Sequence, residues 1–85
     1  MDISVIVVTY NSADQIATCL QSVLAQTGVT FEVVVVDNAS ADNTLAQLAN
    51  FEVRIIANQE NVGFGRGNNL GFAASRGSRK LPLHC

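Results

Sequence analysis

Ile3 to Val8 reads ISVIVV and Phe31 to Val36 reads FEVVVV. Both are β-branched runs with little polar alternation, the pattern of a strand covered on both faces in a parallel sheet. Between them Ile16, Cys19, Leu20, Val23 and Leu24 recur at helical spacing, so residues 3 to 36 read as a βαβ unit with parallel neighbouring strands. Ser12 with Gln15 three positions on predicts a reciprocal cap at the helix start, and Gly28 predicts its close.

Downstream, Asp37-Asn38-Ala39-Ser40 makes a turn. Leu45, Leu48 and Ala49 mark a shorter helix with Ser40 or Asp42 near its cap. Val53 to Ala57 (VRIIA) supplies a third strand, and a loop from Asn58 to Gly65 leads into a third helix. The apolar side of that helix reads as Leu70, Ala73 and Ala74, with its end near Gly77. Residues 78 to 85 carry no strong pattern, and Pro82 discourages both helix and strand. The expected organisation is therefore residues 1 to 77 as a folded portion and 78 to 85 as an atypical tail.

Right-handed crossovers place the helices of strands stepping in one direction on the same face of the sheet. One face of so apolar a sheet would then be bare, which implies a truncated chain, the amino-terminal part of a larger domain. Composition narrows the class. With 48% hydrophobic and 14% charged residues, disorder is excluded, and a net charge of −2 with five basic residues disfavours a nucleic-acid partner. No apolar run approaches the roughly 20 residues of a transmembrane helix, and no basic n-region precedes one, so a soluble, cytoplasmic segment is expected. Cys19 and Cys85 form no framework or metal spacing and read as plain thiols, Cys19 as a small core residue; His84 and Cys85 end the chain.

In an open parallel sheet, ligands lie beyond the carboxyl ends of the strands. Three loops answer to that place: Thr9 to Ser12, Asp37 to Ser40, and Asn58 to Gly67. Tyr10 can stack on a base or pack over the end of the sheet, and Asp37 can accept from a base imide or ribose hydroxyl or simply cap a turn. Arg66, near the start of the third helix, opposes the positive end of the dipole. A phosphate partner explains it better than helix propensity does, the alternative being a surface arginine. Gly63, Gly65 and Gly67 permit positive φ or close approach to a ligand. Asn68 and Asn69 can reach back to the same loop or be polar first-turn residues, while Arg76, Arg79 and Lys80 receive no chemistry. The dinucleotide fingerprint and the phosphate loop of G-x-x-x-x-G-K type are both missing, and Asn38-Ala39-Ser40 fits a glycosylation sequon by chance.

Val5 to Ser12 (VIVVTYNS), Val35 to Thr44 (VVDNASADNT) and Asn61 to Phe72 (NVGFGRGNNLGF), in that order and spacing, resemble the start of a family 2 glycosyltransferase of GT-A fold. The DNAS form and the NVGFGRGNN loop are most similar to rhamnosyltransferase-like members that build surface polysaccharides. The resemblance implies the Rossmann-like, three-layer nucleotide-binding half of that fold, with a parallel sheet and crossover helices. It implies inverting transfer of a sugar from a nucleotide donor, dTDP- or UDP-linked, to a glycan or lipid-linked acceptor. By analogy Thr9, Tyr10 and Asn11 line the nucleoside pocket, Asp37 contacts base or ribose, and Gly63, Arg66 and Asn69 flank the nucleotide. The family's divalent metal, Mg or Mn, is expected in the intact enzyme, but its acidic motif and the catalytic base have no match in this chain, so no catalytic or metal residue is assigned. The chain alone is expected to be inactive, with membrane association left to the intact protein. The rival readings are a non-catalytic nucleotide-binding module and a fragment of a Rossmann-type dehydrogenase using Asp37 on a ribose.

Overall fold

The computed structural model describes residues 2–26, 28 and 30–84; Cys85 lies outside the described residues. Four parallel strands are joined by three helices in the order β1 (Ile3–Thr9), α1 (Ile16–Leu24), β2 (Phe31–Asp37), α2 (Thr44–Leu48), β3 (Arg54–Ala57), α3 (Phe64–Ala74) and β4 (Arg79–His84). The strand order in space is β3-β2-β1-β4. The first two crossovers thus step one way across the sheet, and the third returns past β2 and β1 to the far edge. With one hand of crossover throughout, that reversal puts α3 on the face opposite α1 and α2.

Residue parity agrees. Val5, Val7, Val33 and Val35 pack with Ile16, Leu20 and Leu48 on the first face. Ile6, Val8 and Val36 meet α3 on the second, where Gly67 lies against Val8 and Gly71 against Ile6 and Val36. Both faces of β1 and β2 are therefore covered, which corrects the expectation of a bare face. The missing signal was β4. Residues 79–84 pair with β1 from Ile3↔Arg79 to Val8↔His84, although the sequence predicts no strand there. Pro82 is tolerated because β4 is an edge strand, with no second neighbour needing its missing amide.

Four local expectations also change. No side-chain cap forms at α1. The Ser12 hydroxyl donates to the Tyr10 carbonyl, its amide donates to Thr44 Oγ1 at 2.9 Å, and the helix begins at Ile16 and ends at Leu24, short of Gly28. On α3 the sheet-facing side is Gly67, Asn68 and Gly71, while Leu70 is exposed, because close approach to β-branched strands favours residues without a Cβ. Likewise α2 buries Thr44 and Leu48 and leaves Leu45 exposed. Cys19 is half-buried on α1 and stands at the edge of the core, not within it.

The opposite end of the sheet is tied by Glu32. It accepts from Ser4 Oγ at 2.6 Å and from the Arg76 amide, and lies 3.9 Å from Arg54 Nη1. Ser4 Oγ in turn accepts from Gly77 N at 2.7 Å. The Ser4 hydroxyl and the neighbouring amides hold the Glu32 carboxyl below its ordinary value, against the opposing effect of burial. These bonds fasten the α3–β4 connection to β1 and β2, so they fix where α3 lies on the sheet.

Candidate functional site

Because β1 and β2 are in register through Thr9↔Asp37, their carboxyl ends form one rim. Asn38 N donates to the Thr9 carbonyl at 2.9 Å, carrying the pairing one step past the strand. Side chains alternate across a sheet, so Thr9 and Asp37 point toward the α1 and α2 loops, whereas Asn38 points toward α3.

Asp37 is fully buried. Its Oδ1 accepts from Thr9 Oγ1 at 2.9 Å and Ser40 Oγ at 2.6 Å, and Oδ2 accepts from Ser40 N at 3.0 Å. Three donors compensate the buried carboxylate and fix the turn. Asn11 lies just beyond, at φ 48°, its amide donating to Ser40 Oγ at 2.9 Å and its Oδ1 accepting from Ala41 N at 2.7 Å. Farther along the same loops, Asp42 accepts from Ala13 N at 3.1 Å and from the amide and hydroxyl of Thr44. The Thr44 hydroxyl, foremost among these donors, lowers the Asp42 carboxyl below its ordinary value. The β1–α1 and β2–α2 loops are thereby stitched together along their length.

Thr9, Tyr10 and Gly63 come together in one crevice of about 250 Å³, completed by Val8, Ser12, Asn38, Asn61 and Phe64. It opens between the end of β1 and the start of α3. Tyr10 is 52% and Phe64 47% exposed, so two rings stand at the mouth of a polar floor. Asn38 forms the wall: Nδ2 donates to the Gly63 carbonyl at 3.2 Å, and Oδ1 accepts from Asn58 Nδ2 at 2.9 Å. That leaves one amide hydrogen and one lone pair uncommitted. Gly63, at φ 88°, makes the sharp entry into α3 that places Phe64 on the crevice.

Arg66 and Asn69 are on α3 as expected but face elsewhere. With Val62 and Leu70 they line a separate depression of about 350 Å³. Inward of them, Asn68 is nine-tenths buried, and its Oδ1 has no hydrogen-bond partner among the described residues. Sequence reasoning placed Asn38, Asn61 and Phe64 in the candidate loops but gave none of them a role of its own. The period-2 alternation after β2 would have separated Asn38 from Asp37, had the face carrying α3 been known.

Among the described residues, no three His, Cys, Asp or Glu side chains are grouped to hold a metal ion. Asp37, an acid at the rim, already accepts from Thr9 and twice from Ser40. These residues do not fit a divalent ion, and no step is derived through one. What they can do is receive a flat ring between exposed aromatics and read its polar edge with amides and a hydroxyl. No helix of the described residues is long and apolar enough to cross a membrane.

Residues 4–80 match the Glycosyl transferase family 2 family. The chain is 49% identical over 79 residues to the succinoglycan biosynthesis protein ExoO of Rhizobium meliloti, covering 89% of this chain and 23% of that protein. It is 41% identical over 83 residues to an uncharacterised glycosyltransferase of Nostoc, covering 91% and 26%. Among solved structures, Staphylococcus aureus TarS 1-349 in complex with UDP-GlcNAc superposes with a TM-score of 0.92 at 33% identity, covering 99% of this chain and 26% of that one. The chain thus spans about a quarter of the length of the relatives it matches. The four-stranded parallel sheet with helices on both faces matches part of the GT-A fold, and the chain belongs to glycosyltransferase family 2.

Proposed function

We propose that this chain forms the nucleotide-recognising part of an enzyme that transfers a sugar, with inversion, from a nucleotide sugar to a glycan or lipid-linked acceptor. The observation that carries this is the crevice at the β1 rim, where Tyr10 and Phe64 flank a floor of Thr9, Ser12 and Asn38. Its volume of about 250 Å³ suits a base and part of a ribose, not a whole nucleotide sugar. Tyr10 stacks on the base and the Asn38 amide reads its edge, while Asp37 acts from beneath by holding the turn. Arg66 and Asn69, outside the crevice, flank the phosphates or the sugar as these leave it.

A UDP- or dTDP-linked donor is favoured. The TarS complex with UDP-GlcNAc is the supporting neighbour for UDP. The finer assignment is to rhamnosyltransferase-like members acting in surface polysaccharide synthesis, supported by the DNAS and NVGFGRGNN stretches and by likeness to a succinoglycan biosynthesis protein. The 85 residues alone are proposed to bind nucleotide without turning it over, since transfer also needs a base on the acceptor hydroxyl and compensation of charge on the leaving phosphates.

Calorimetric titration with UDP, dTDP and NAD tests the reading. Saturable binding of UDP or dTDP that is weakened in Tyr10→Ala supports it. Binding of NAD alone favours a dehydrogenase, and no binding of any of the three overturns nucleotide recognition.

A further inference from the structure

We propose that Ser40 is a positioning residue: it clasps the β1–α1 loop to the β2–α2 loop and so sets nucleotide affinity through Tyr10 without touching the nucleotide. The inference rests on the nucleotide-binding reading above.

The geometry begins with what holds Tyr10. Its side chain makes no hydrogen bond among the described residues and is half exposed, so the backbone of its segment largely sets where the ring stands. The residues on either side are both anchored, and both anchors lead to the same turn. Thr9 donates its hydroxyl to Asp37 Oδ1 at 2.9 Å. Asn11 donates its amide to Ser40 Oγ at 2.9 Å and accepts Ala41 N on its own Oδ1 at 2.7 Å.

Ser40 joins the two anchors. Because its hydroxyl accepts from the Asn11 amide, its single proton goes to Asp37, and that bond is 2.6 Å long. Asp37 then orients Ser40 a second time through the Ser40 amide at 3.0 Å. Both loops hold a residue in the left-handed region, Asn11 at φ 48° and Ala39 at φ 59°. Such conformations persist where surrounding bonds over-determine them. Removing the hydroxyl deletes the bond to the Asn11 amide, leaves Asn11 held only through its Oδ1, and leaves the Asp37 carboxylate one donor short, so one of the two ends of the Tyr10 segment is loosened.

Two measurements separate this inference from the reading beneath it. The first needs no nucleotide. In Ser40→Ala, hydrogen exchange at the Asn11 amide should speed up about tenfold or more, with amides of α1 and α3 unchanged. Unchanged protection at Asn11 overturns the clasp, and so does a uniform rise across the fold, which would mark a merely structural serine.

The second is a double-mutant cycle on UDP affinity. Ser40→Ala should raise Kd about tenfold and Ser40→Thr, which keeps the hydroxyl, should restore it to within about threefold. In a Tyr10→Ala background Ser40→Ala should change Kd by less than about twofold. An equal effect in both backgrounds overturns action through Tyr10. Should Ser40→Ala not fold, Ser40→Cys puts a thiol, a weaker donor and acceptor, in place of the hydroxyl. It should show the same exchange and affinity changes at smaller amplitude, and wild-type values for it count against the clasp. Failure of the unaltered protein to bind UDP or dTDP counts against the nucleotide reading, while the exchange result still decides the clasp.

Discussion

Replacing Gly71 by alanine tests the packing that puts α3 on the second face of the sheet. A Cβ built there would overlap Ile6 Cγ2 and stand 3.3 Å from Val36 Cγ2. Ile6 and Val36 are fully buried and β-branched, so neither can turn aside. Relief requires α3 to lift until carbon atoms regain about 3.5–4.0 Å, a shift on the order of an ångström. Overpacking of this kind costs about 1–3 kcal/mol, set against a gain of up to about 1 kcal/mol from helix propensity, so a net loss of roughly 1–2 kcal/mol is expected. Gly65, one turn and a half earlier on the same helix, has nothing within 4 Å of its would-be Cβ. Gly65→Ala should therefore stabilise by up to about 1 kcal/mol. Urea unfolding of the two variants should move the midpoints in opposite directions with unchanged slope. A Gly71→Ala protein as stable as Gly65→Ala would refute the close helix–sheet contact, and with it the position of Gly63 and Phe64 on the crevice.

Gly77→Ala should destabilise more than Gly71→Ala, because its Cβ would meet backbone, Ser4 N at 2.5 Å and the Ile3 carbonyl carbon at 2.6 Å; equal urea midpoints would contradict this. Tyr10→Ala should weaken UDP binding by about 1–2 kcal/mol, roughly five- to thirtyfold, while Tyr10→Phe keeps the ring and stays within about threefold by calorimetry. Asp37→Ala should lower stability by about 2–4 kcal/mol in denaturant titration, since it strands the Thr9 and Ser40 hydroxyls in a buried site. Glu32 and Asp42 both have carboxyls lowered from ordinary values of 4.5 and 3.8. Their contribution is thus complete above those values and lost as pH falls through the lower folded-state ones. Stability followed by circular dichroism should fall below about pH 4, and Glu32→Gln should flatten part of that fall.

The strands β1 and β2 were legible because an unbroken β-branched run has few other uses, and their parallel pairing followed from the helical spacing of Ile16 to Leu24. Helix α3 was legible in place but not in orientation. Its sheet-facing side is glycine and asparagine, so hydrophobic spacing pointed to Leu70, which is exposed. Strand β4 was illegible from pattern, since Arg79 and Lys80 are exposed on an edge and Pro82 argues locally against any strand. Of the site residues named from sequence, Thr9, Tyr10 and Gly63 share the crevice, Asn11 and Asp37 lie in the turn beside it, and Arg66 and Asn69 line the neighbouring depression. Residue type alone favoured Asp37 and Arg66 because charge looks like chemistry; burial and facing, which type does not carry, divide them from the crevice.

One error in the fold and one omission at the site have a single cause. While the direction of the third crossover is unknown, α3 can be placed on either face, and the side chains after β2 have no assigned destination. Once β4 is seen on the far side of β1, the sheet has a switch point between β1 and β4, and the crevice of an open parallel sheet belongs at that reversal. Thr9 and Tyr10 leave β1 beside it, and α3 returns across the sheet to reach β4, so its start at Gly63 and Phe64 overhangs the same end. Alternation then hands Asn38 to α3 and Asp37 to the opposite loops, which is why a buried carboxylate can shape the rim while an amide one residue later lines it. The short tail strand, the least promising stretch of the sequence, therefore decides where the crevice opens.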